Sequence, residues 1–154
     1  MNQTTESHRE SARPAEWNRA HVLVADDDEG MRALVVGSLT SRGYAVQAEE
    51  SGSGALKTFN ALAAHVWPLD GIDLVVLDHR MPGMTGLDVL REIRLAHWDT
   101  PAILMTAFPS AEVLAYAAEL GATVLSKPFS LDDLTRAAVS LMVRHAEPGP
   151  DGER

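Results

Sequence analysis

Cysteine is absent from this chain of 154 residues, and basic residues and long hydrophobic runs are scarce. Without cysteine, disulfide bonds and thiol catalysis are excluded. No apolar run approaches the roughly 18 residues that cross a bilayer. The first twenty residues also lack the apolar stretch of a secretory signal. We therefore expect a cytoplasmic protein with no membrane segment.

The charge balance argues against one class of partner. Lysine and arginine together number 13, against 22 acidic residues, and the formal net charge is −9 at pH 7. Proteins bind a phosphate backbone mainly through lysine and arginine, so we do not expect direct nucleic-acid binding. Part of the acidic excess lies in the run Asp26–Glu29. For that run alone, a solvated loop is the alternative to a functional site.

The chain divides into one folded domain and two tails. Residues 1–19 are polar and without periodicity, which predicts a flexible N-terminal tail. Residues 147–154 are rich in proline and glycine and are predicted to be a C-terminal tail. The segment between them, residues 20–146, has the length of a single domain with its own core.

Apolar runs and amphipathic segments alternate within this domain. The predicted strands are His21–Ala25, Tyr44–Ala48, Ile72–Leu77, Ala102–Met105 and Thr123–Ser126. The predicted helices are about Glu29–Ser41, about Ser53–His65, a segment after Gly86, Ser110 to near Leu120, and Ser130 or Leu131 to about His145. Strands that are almost continuously Val, Leu and Ile indicate a parallel sheet covered on both faces. We therefore predict a doubly wound α/β fold, a three-layer sandwich.

Two helices have apolar faces that predict their packing. The inner side of the first helix is assigned to Met31, Leu34, Val35 and Leu39. The core side of the last helix is assigned to Leu131, Leu134, Ala138 and Leu141. The last helix has further apolar residues, Val139, Met142 and Val143, which fall partly outside that stripe. Either this face binds a partner or a second copy, or the helix buries a wide stripe.

Four predicted strands end in residues suited to one chemistry. They are followed by Asp26, Asp27 and Asp28, by Asp78, by Thr106 and by Lys127. Side chains at the carboxyl ends of parallel strands converge on one crevice. Three carboxylates brought together require a cation or a proton to neutralise them, and hard oxygen ligands suit Mg²⁺. The crevice is thus suited to binding a divalent cation and a phosphoryl group.

These segments resemble the motifs of bacterial response-regulator receiver domains, including the stand-alone chemotaxis receivers. The resembling segments are Val22–Asp28, Leu77–Gly86, Met105–Ala107 and Lys127–Phe129, and the likeness covers roughly residues 20–145. It implies a flavodoxin-like (βα)₅ parallel sheet with the strand order 2-1-3-4-5.

The resemblance also implies roles for the acidic residues. Asp78 is the phosphoacceptor, and a carboxylate can act as the nucleophile that forms an aspartyl phosphate. Asp27 and Asp78 bind Mg²⁺ directly, Asp26 acts through water, and Arg80 contributes its backbone carbonyl. We place Asp28 outside the direct ligand set. The alternative for Asp78, capping of the next helix, fits poorly because that helix begins several residues later.

The remaining site residues are assigned in the same way. Thr106 is implied to hydrogen-bond a phosphoryl oxygen after transfer, although a β-branched strand residue is its plain structural interpretation. Lys127 is implied to bind the phosphoryl group, and its bond to Pro128 is usually cis in the family. The chain departs from the family at Val124, where an aromatic residue usually couples to the threonine. How a signal leaves the site is therefore open.

The implied function is that of a signalling domain, which catalyses only its own phosphorylation and dephosphorylation. A histidine kinase or phosphotransfer protein would be the donor. Because little chain follows the last helix, we expect a single-domain regulator. Its output would be a protein partner, self-association through the face of the fourth helix, fifth strand and fifth helix, or onward transfer of phosphate.

Two other functions compete with this one. A haloacid-dehalogenase-type hydrolase also uses an aspartate nucleophile, but it has a second aspartate where this chain has Arg80. A receiver-like interaction module that never turns over phosphate is the alternative that Val124 keeps open.

Overall fold

Five strands and five helices alternate along the computed structural model, which describes residues 19–63 and 71–146. In chain order they are β1 (His21–Ala25), α1 (Glu29–Ser41), β2 (Ala45–Glu49), α2 (Gly52–Ala63), β3 (Leu74–Asp78), α3 (Gly86–Leu95), β4 (Ala102–Thr106), α4 (Ala111–Glu119), β5 (Ala122–Ser126) and α5 (Leu131–Ala146). All neighbouring strands pair in parallel, in the order β2-β1-β3-β4-β5. The predicted fold class and strand order are confirmed.

The predicted bounds of β1 and α1 agree with the observed ones, and those of the other four strands differ by one or two residues. Asp78 and Thr106 are the last residues of β3 and β4 rather than the residues that follow them. Strand β3 begins at Leu74, so Ile72 lies outside it. The described part of α2 ends at Ala63, and its predicted end at His65 lies outside the described residues. The predicted tails also lie outside them, apart from Arg19.

The central strands are buried because helices cover both faces of the sheet. Every residue of β3 and β4 is buried, whereas the edge strands β2 and β5 are partly exposed. Successive side chains of a strand point to opposite faces, and they divide the core into two clusters. The first cluster, formed with α2, α3 and α4, includes Leu23, Phe59, Val75, Leu77, Leu90 and Leu104. The second, formed with α1 and α5, includes Val22, Leu39, Val76, Ile103 and Leu134.

The predicted inner face of α1 was wrong at one position. Leu34 is 56% exposed, whereas Val35 and Leu39 are buried and Met31 packs partly against the second cluster. Val36 also packs partly against this cluster. At about 100° of rotation per residue, the four contacting residues cover one side of the helix, and Leu34 lies beyond the edge of that side next to Met31. The sheet therefore leaves Leu34 uncovered.

The predicted core side of α5 was also wrong at its first residue. Leu131 is 38% exposed, because it is the first residue of α5 and its side chain points back beyond the end of the helix. Leu134 and Ala138 are fully buried, and Leu141 and Met142 pack partly against the second cluster. Val139 and Val143 remain exposed.

Within the two described ranges, no helix has both the length and the apolar character needed to cross a bilayer.

Candidate functional site

Three carboxylates lie together at the carboxyl edge of the sheet. Asp26 directly follows β1, Asp27 comes next, and Asp78 ends the neighbouring strand β3. One carboxylate oxygen from each residue lies within 4.8 Å of the others. Asp26 is fully buried and Asp78 is 5% exposed, whereas Asp27 faces solvent. The sequence prediction that these residues converge is therefore met in the structure.

Backbone hydrogen bonds continue past the strand ends and direct the loops of the site. The Asp26 amide donates to the Glu49 carbonyl at 3.1 Å. The His79 amide donates to the Met105 carbonyl at 2.9 Å. The Lys127 amide donates to the Thr106 carbonyl at 2.8 Å. Each bond ties the segment that carries a site residue to the neighbouring strand, so these residues are held on rigid backbone.

One carboxylate oxygen of Asp26 accepts a hydrogen bond, and the other accepts none from the described residues. Its Oδ1 accepts a hydrogen bond from the Asp28 amide at 2.9 Å, and its carbonyl accepts one from Arg32 Nη1 at 2.8 Å. Its Oδ2 is buried and has no hydrogen-bond partner among the described residues. A buried carboxylate oxygen without a partner is costly, and it is a suitable ligand or water acceptor beside a cation.

Lys127 is the cation that reaches into this cluster. Its Nζ donates to Asp78 Oδ1 at 2.8 Å and lies 3.8 Å from Asp26 Oδ2. The peptide bond between Lys127 and Pro128 is cis, as the resemblance implied. The ammonium thus links β5 to β1 and β3 across the crevice.

The electrostatics of the cluster favour added positive charge. Burial raises the pKa of Asp26 and of Asp78 above the ordinary aspartate value, and the charge of Asp27 raises both further. Lys127 opposes this by stabilising both carboxylates. Burial alone would lower the pKa of Lys127, but its hydrogen bond to Asp78 and the surrounding carboxylates raise it overall. One ammonium therefore faces three carboxylates, and the negative charge is only partly compensated.

This donor set fits Mg²⁺. The cation prefers carboxylate, carbonyl and water oxygens and is often held by only one or two carboxylates. Asp26 Oδ2, which accepts no hydrogen bond from the described residues, and the exposed Asp27 carboxylate supply such oxygens. Arg80 lies two residues after Asp78 in the next loop, and the metal-ligand role of its carbonyl stays a prediction.

Thr106 lies at the end of β4, beside β3. Its side chain is almost fully buried, and its Oγ1 accepts a hydrogen bond from the Phe108 amide at 3.1 Å. A hydroxyl that accepts one hydrogen bond can still donate its own hydrogen. Thr106 can therefore donate to an oxygen atom placed in the crevice while it holds the following loop.

Comparison with known proteins identifies the family. Residues 22–139 match the model of the response regulator receiver domain. The chain belongs to this family. The site thus lies in a receiver domain, at the edge of the sheet where the carboxyl ends of its strands meet.

Curated relatives and solved structures agree with this assignment. The regulatory protein AtoC of Escherichia coli is 34% identical over 114 residues, which are 73% of this chain and 23% of that protein. The response regulator MprA of Mycobacterium sp. is 36% identical over 133 residues, which are 84% of this chain and 54% of that protein. This receiver chain therefore spans between about a quarter and a half of the length of these relatives.

Two solved receivers have nearly the same extent as the described domain. The chemotaxis protein CheY4 of Vibrio cholerae is 28% identical with a TM-score of 0.68, covering 80% of this chain and 98% of that one. The Francisella response regulator 1452 receiver domain is 29% identical with a TM-score of 0.71, covering 82% and 99%.

Asp28 has a structural task in this receiver. Its Oδ1 accepts a hydrogen bond from the Met31 amide at 2.7 Å, which caps the N-terminus of α1. The carboxylate is thus committed to the helix, and the three-carboxylate cluster forms without it.

The position of the usual aromatic switch residue is occupied by a small apolar side chain. Val124 of β5 is half-buried and packs against the first core cluster, as does Tyr116 of α4. The Tyr116 side chain is likewise only half-buried.

The contact between Arg80 and Phe108 was not predicted from the sequence. The Arg80 guanidinium lies over the Phe108 ring, 4.5 Å from its centre, and Phe108 is 61% exposed. The two residues belong to different loops, so no spacing along the chain could have revealed the pair.

Proposed function

We propose that the protein accepts a phosphoryl group on Asp78 in an Mg²⁺-dependent reaction, with a histidine kinase or a phosphotransfer protein as donor. The observation that carries this proposal is the contact of Lys127 Nζ with Asp78 Oδ1 at 2.8 Å, inside a cluster of three carboxylates. A nucleophilic carboxylate, a cation beside it and a hard-metal donor set are the parts that phosphoryl transfer requires.

The reaction would need no general base. An Asp78 carboxylate oxygen attacks the phosphorus of a phosphohistidine, the P–N bond breaks, and its electron pair returns to the imidazole nitrogen. The product is an aspartyl phosphate. Lys127 stabilises the negative charge on the phosphoryl oxygens, and Thr106 donates its hydroxyl hydrogen to one of them. A bound Mg²⁺ supplies further neutralisation of this charge. The protein then catalyses only its own phosphorylation and dephosphorylation.

The test is the intact mass of the protein after incubation with acetyl phosphate or phosphoramidate, with and without Mg²⁺. We expect a mass increase of one phosphoryl group that requires Mg²⁺ and is absent in Asp78→Ala. Asp88→Ala is a matched control, because Asp88 is an exposed aspartate that caps α3 away from the cluster. A folded protein that gains no mass with any donor would contradict the proposal. It would favour the phosphorylation-independent interaction module.

The proposed output surface is the face formed by α4, β5 and α5. It has exposed apolar side chains at Leu114, Val139 and Val143, and we propose that it binds a downstream protein or a second copy when Asp78 is phosphorylated. Hydrogen exchange of the phosphorylated protein, alone and with captured partners, tests this. Unchanged protection of α4 and α5 in every state would contradict it.

The proposal also includes a cytoplasmic location, which cell fractionation of the host tests.

A further inference from the structure

Arg80 and Phe108 connect the two loops that border the phosphorylation site. Arg80 lies two residues beyond Asp78, at the end of β3, and Phe108 lies two residues beyond Thr106, at the end of β4. Strands β3 and β4 are paired neighbours, with Asp78 opposite Met105. The guanidinium over the ring therefore joins these loops directly beside the crevice.

The described site contains too little positive charge to neutralise a phosphorylated Asp78. Among the described residues, Lys127 is the one cation that pairs with the cluster, through Asp26 and Asp78. Conversion of Asp78 to an aspartyl phosphate replaces a single negative charge with nearly two. Arg80 is the arginine nearest to Asp78 along the chain, but its guanidinium rests on Phe108 rather than in the cluster.

Phe108 is itself coupled to the site. Its backbone amide donates to Thr106 Oγ1 at 3.1 Å, and the proposed function has the Thr106 hydroxyl bind the phosphoryl group. One hydrogen bond therefore joins Thr106 to the residue on which Arg80 rests.

We propose that Arg80 is a second phosphoryl-binding cation, which the Phe108 ring holds before phosphorylation and which transfers to a phosphoryl oxygen afterwards. This inference rests on the proposed function of Asp78. A guanidinium presents a planar fork of donors that matches phosphate oxygens, and its charged hydrogen bonds are stronger than stacking on an exposed ring. The exchange of partners is therefore favourable once the phosphoryl group is present.

The proposed exchange of partners predicts opposite effects on phosphoryl binding for removal of the ring and removal of the guanidinium. If Arg80 has to leave the ring in order to bind the phosphoryl group, the ring opposes phosphoryl binding. Removal of the ring then tightens binding, whereas removal of the guanidinium weakens it. A purely structural contact between the loops would weaken binding in both cases.

The experiment titrates the full chain with beryllofluoride, a phosphoryl mimic, in excess Mg²⁺. We expect Arg80→Met to weaken binding about tenfold, the size of one lost hydrogen bond to a charged group. We expect Phe108→Leu to tighten it severalfold and to have no effect when Arg80 is already methionine. The matched controls Arg91→Met and Leu34→Ala remove an exposed arginine of α3 and an exposed apolar side chain of α1. Both controls should bind as the wild type does.

The NMR signal of the Arg80 Nε–H group gives a second measurement on the same samples. It should carry the upfield shift of a group over a ring in the free wild type and lose that shift with beryllofluoride. Wild-type affinity in both variants, or an Arg80 signal that does not move on binding, would overturn the inference. Absence of beryllofluoride binding by the wild type would instead reject the proposed function, so the two failures are distinguishable. Urea midpoints verify that each variant is folded.

Discussion

Lys127 compensates the charge of two buried carboxylates, and its removal provides the first prediction. In Lys127→Met the phosphorylation of Asp78 should slow by about 10²-fold, the usual loss when one group that stabilises a charged transition state is removed. Methionine keeps the length and the apolar stem of lysine, so the change is mainly one of charge. Phosphorylation rates with phosphoramidate, followed by intact mass, measure the effect.

The chain offers a matched control for this change, because its other lysine, Lys57, is exposed on α2. Lys57→Met should phosphorylate at the wild-type rate. Equal rates in Lys127→Met and wild type would show that the ammonium does not act in the transfer.

Asp27 destabilises the metal-free protein through repulsion, and this provides the second prediction. Its charge raises the pKa of both Asp26 and Asp78. Without divalent cations, Asp27→Asn should therefore raise the thermal unfolding midpoint by a few degrees at neutral pH. Wild type should gain stability when Mg²⁺ is added, and the variant should gain less, since it has lost a ligand.

The pH dependence of this difference follows from the direction of the pKa shifts. A carboxyl whose pKa is higher in the folded state than in the unfolded state binds its proton more tightly when folded. The associated destabilisation is present at neutral pH and is relieved as the pH falls toward the ordinary aspartate value of 3.8. The advantage of Asp27→Asn over wild type should shrink on acidification, as measured in chelator. A growing advantage would contradict this.

At the scale of elements, the start of α1 depends on the cap supplied by Asp28. Asp28→Ala should lower the free energy of unfolding by about 1 kcal/mol, the usual value of such a cap. Asp28→Asn keeps the capping oxygen and removes the charge, so it should be close to wild type in stability. Mg²⁺ affinity should change little in both variants, because the carboxylate cluster forms without Asp28. Urea unfolding and Mg²⁺ titration measure the two properties, and a large loss of affinity in Asp28→Ala would place Asp28 among the ligands.

The first residue of α3 packs too closely against β3 to carry a side chain. A Cβ at Gly86 would lie 2.5 Å from the Asp78 carbonyl oxygen and 2.9 Å from Leu104 Cδ1. Gly86→Ala should therefore destabilise the protein by about 1–3 kcal/mol, as overpacking does, and should displace the backbone of Asp78. Gly37→Ala is the control, since its Cβ would meet no atom within 4 Å inside α1. It should stabilise the protein by about 0.5–1 kcal/mol. Urea midpoints that fall for Gly37→Ala or stay constant for Gly86→Ala would contradict this packing.

Much of the element pattern could be predicted because local sequence determines it. The apolar runs of β1, β3 and β4 are continuous because both faces of these strands are buried. The first helix was predicted with its observed bounds, between the acidic run at its start and Gly43 beyond its end. The convergence of Asp26, Asp78 and Lys127 also followed, because parallel strands bring their carboxyl ends to one edge.

The features that could not be predicted from the sequence depend on tertiary geometry. The exposure of Leu34 and Leu131 reflects how much of each helix the sheet covers, and neither residue differs in type from its buried neighbours. The capping role of Asp28 depends on the backbone turn that precedes α1. The contact between Arg80 and Phe108 depends on two loops that the sheet brings together.

At the scale of the whole molecule, two core clusters share one sheet and should unfold together. Phe59→Ala in the first cluster should cost about 3–5 kcal/mol and Leu39→Ala in the second about 2–5 kcal/mol. Both residues are at most 1% exposed. Urea unfolding followed by circular dichroism and by fluorescence should remain a single coincident transition, with an unchanged dependence on urea. Separate transitions for the two probes would show that the layers melt independently.

The placement of every site residue at one edge of the sheet has a consequence for engineering. Asp26, Asp78, Thr106 and Lys127 all lie at the carboxyl ends of strands, whereas the turn between α4 and β5 lies at the opposite edge. Gly121 in that turn is exposed, with a left-handed backbone at φ 71°. Exposed turns of this kind accept inserted domains well. A fluorescent protein inserted at Gly121 would lie far from the phosphorylation site but would be attached to the same sheet. This turn is therefore a starting point for an optical sensor.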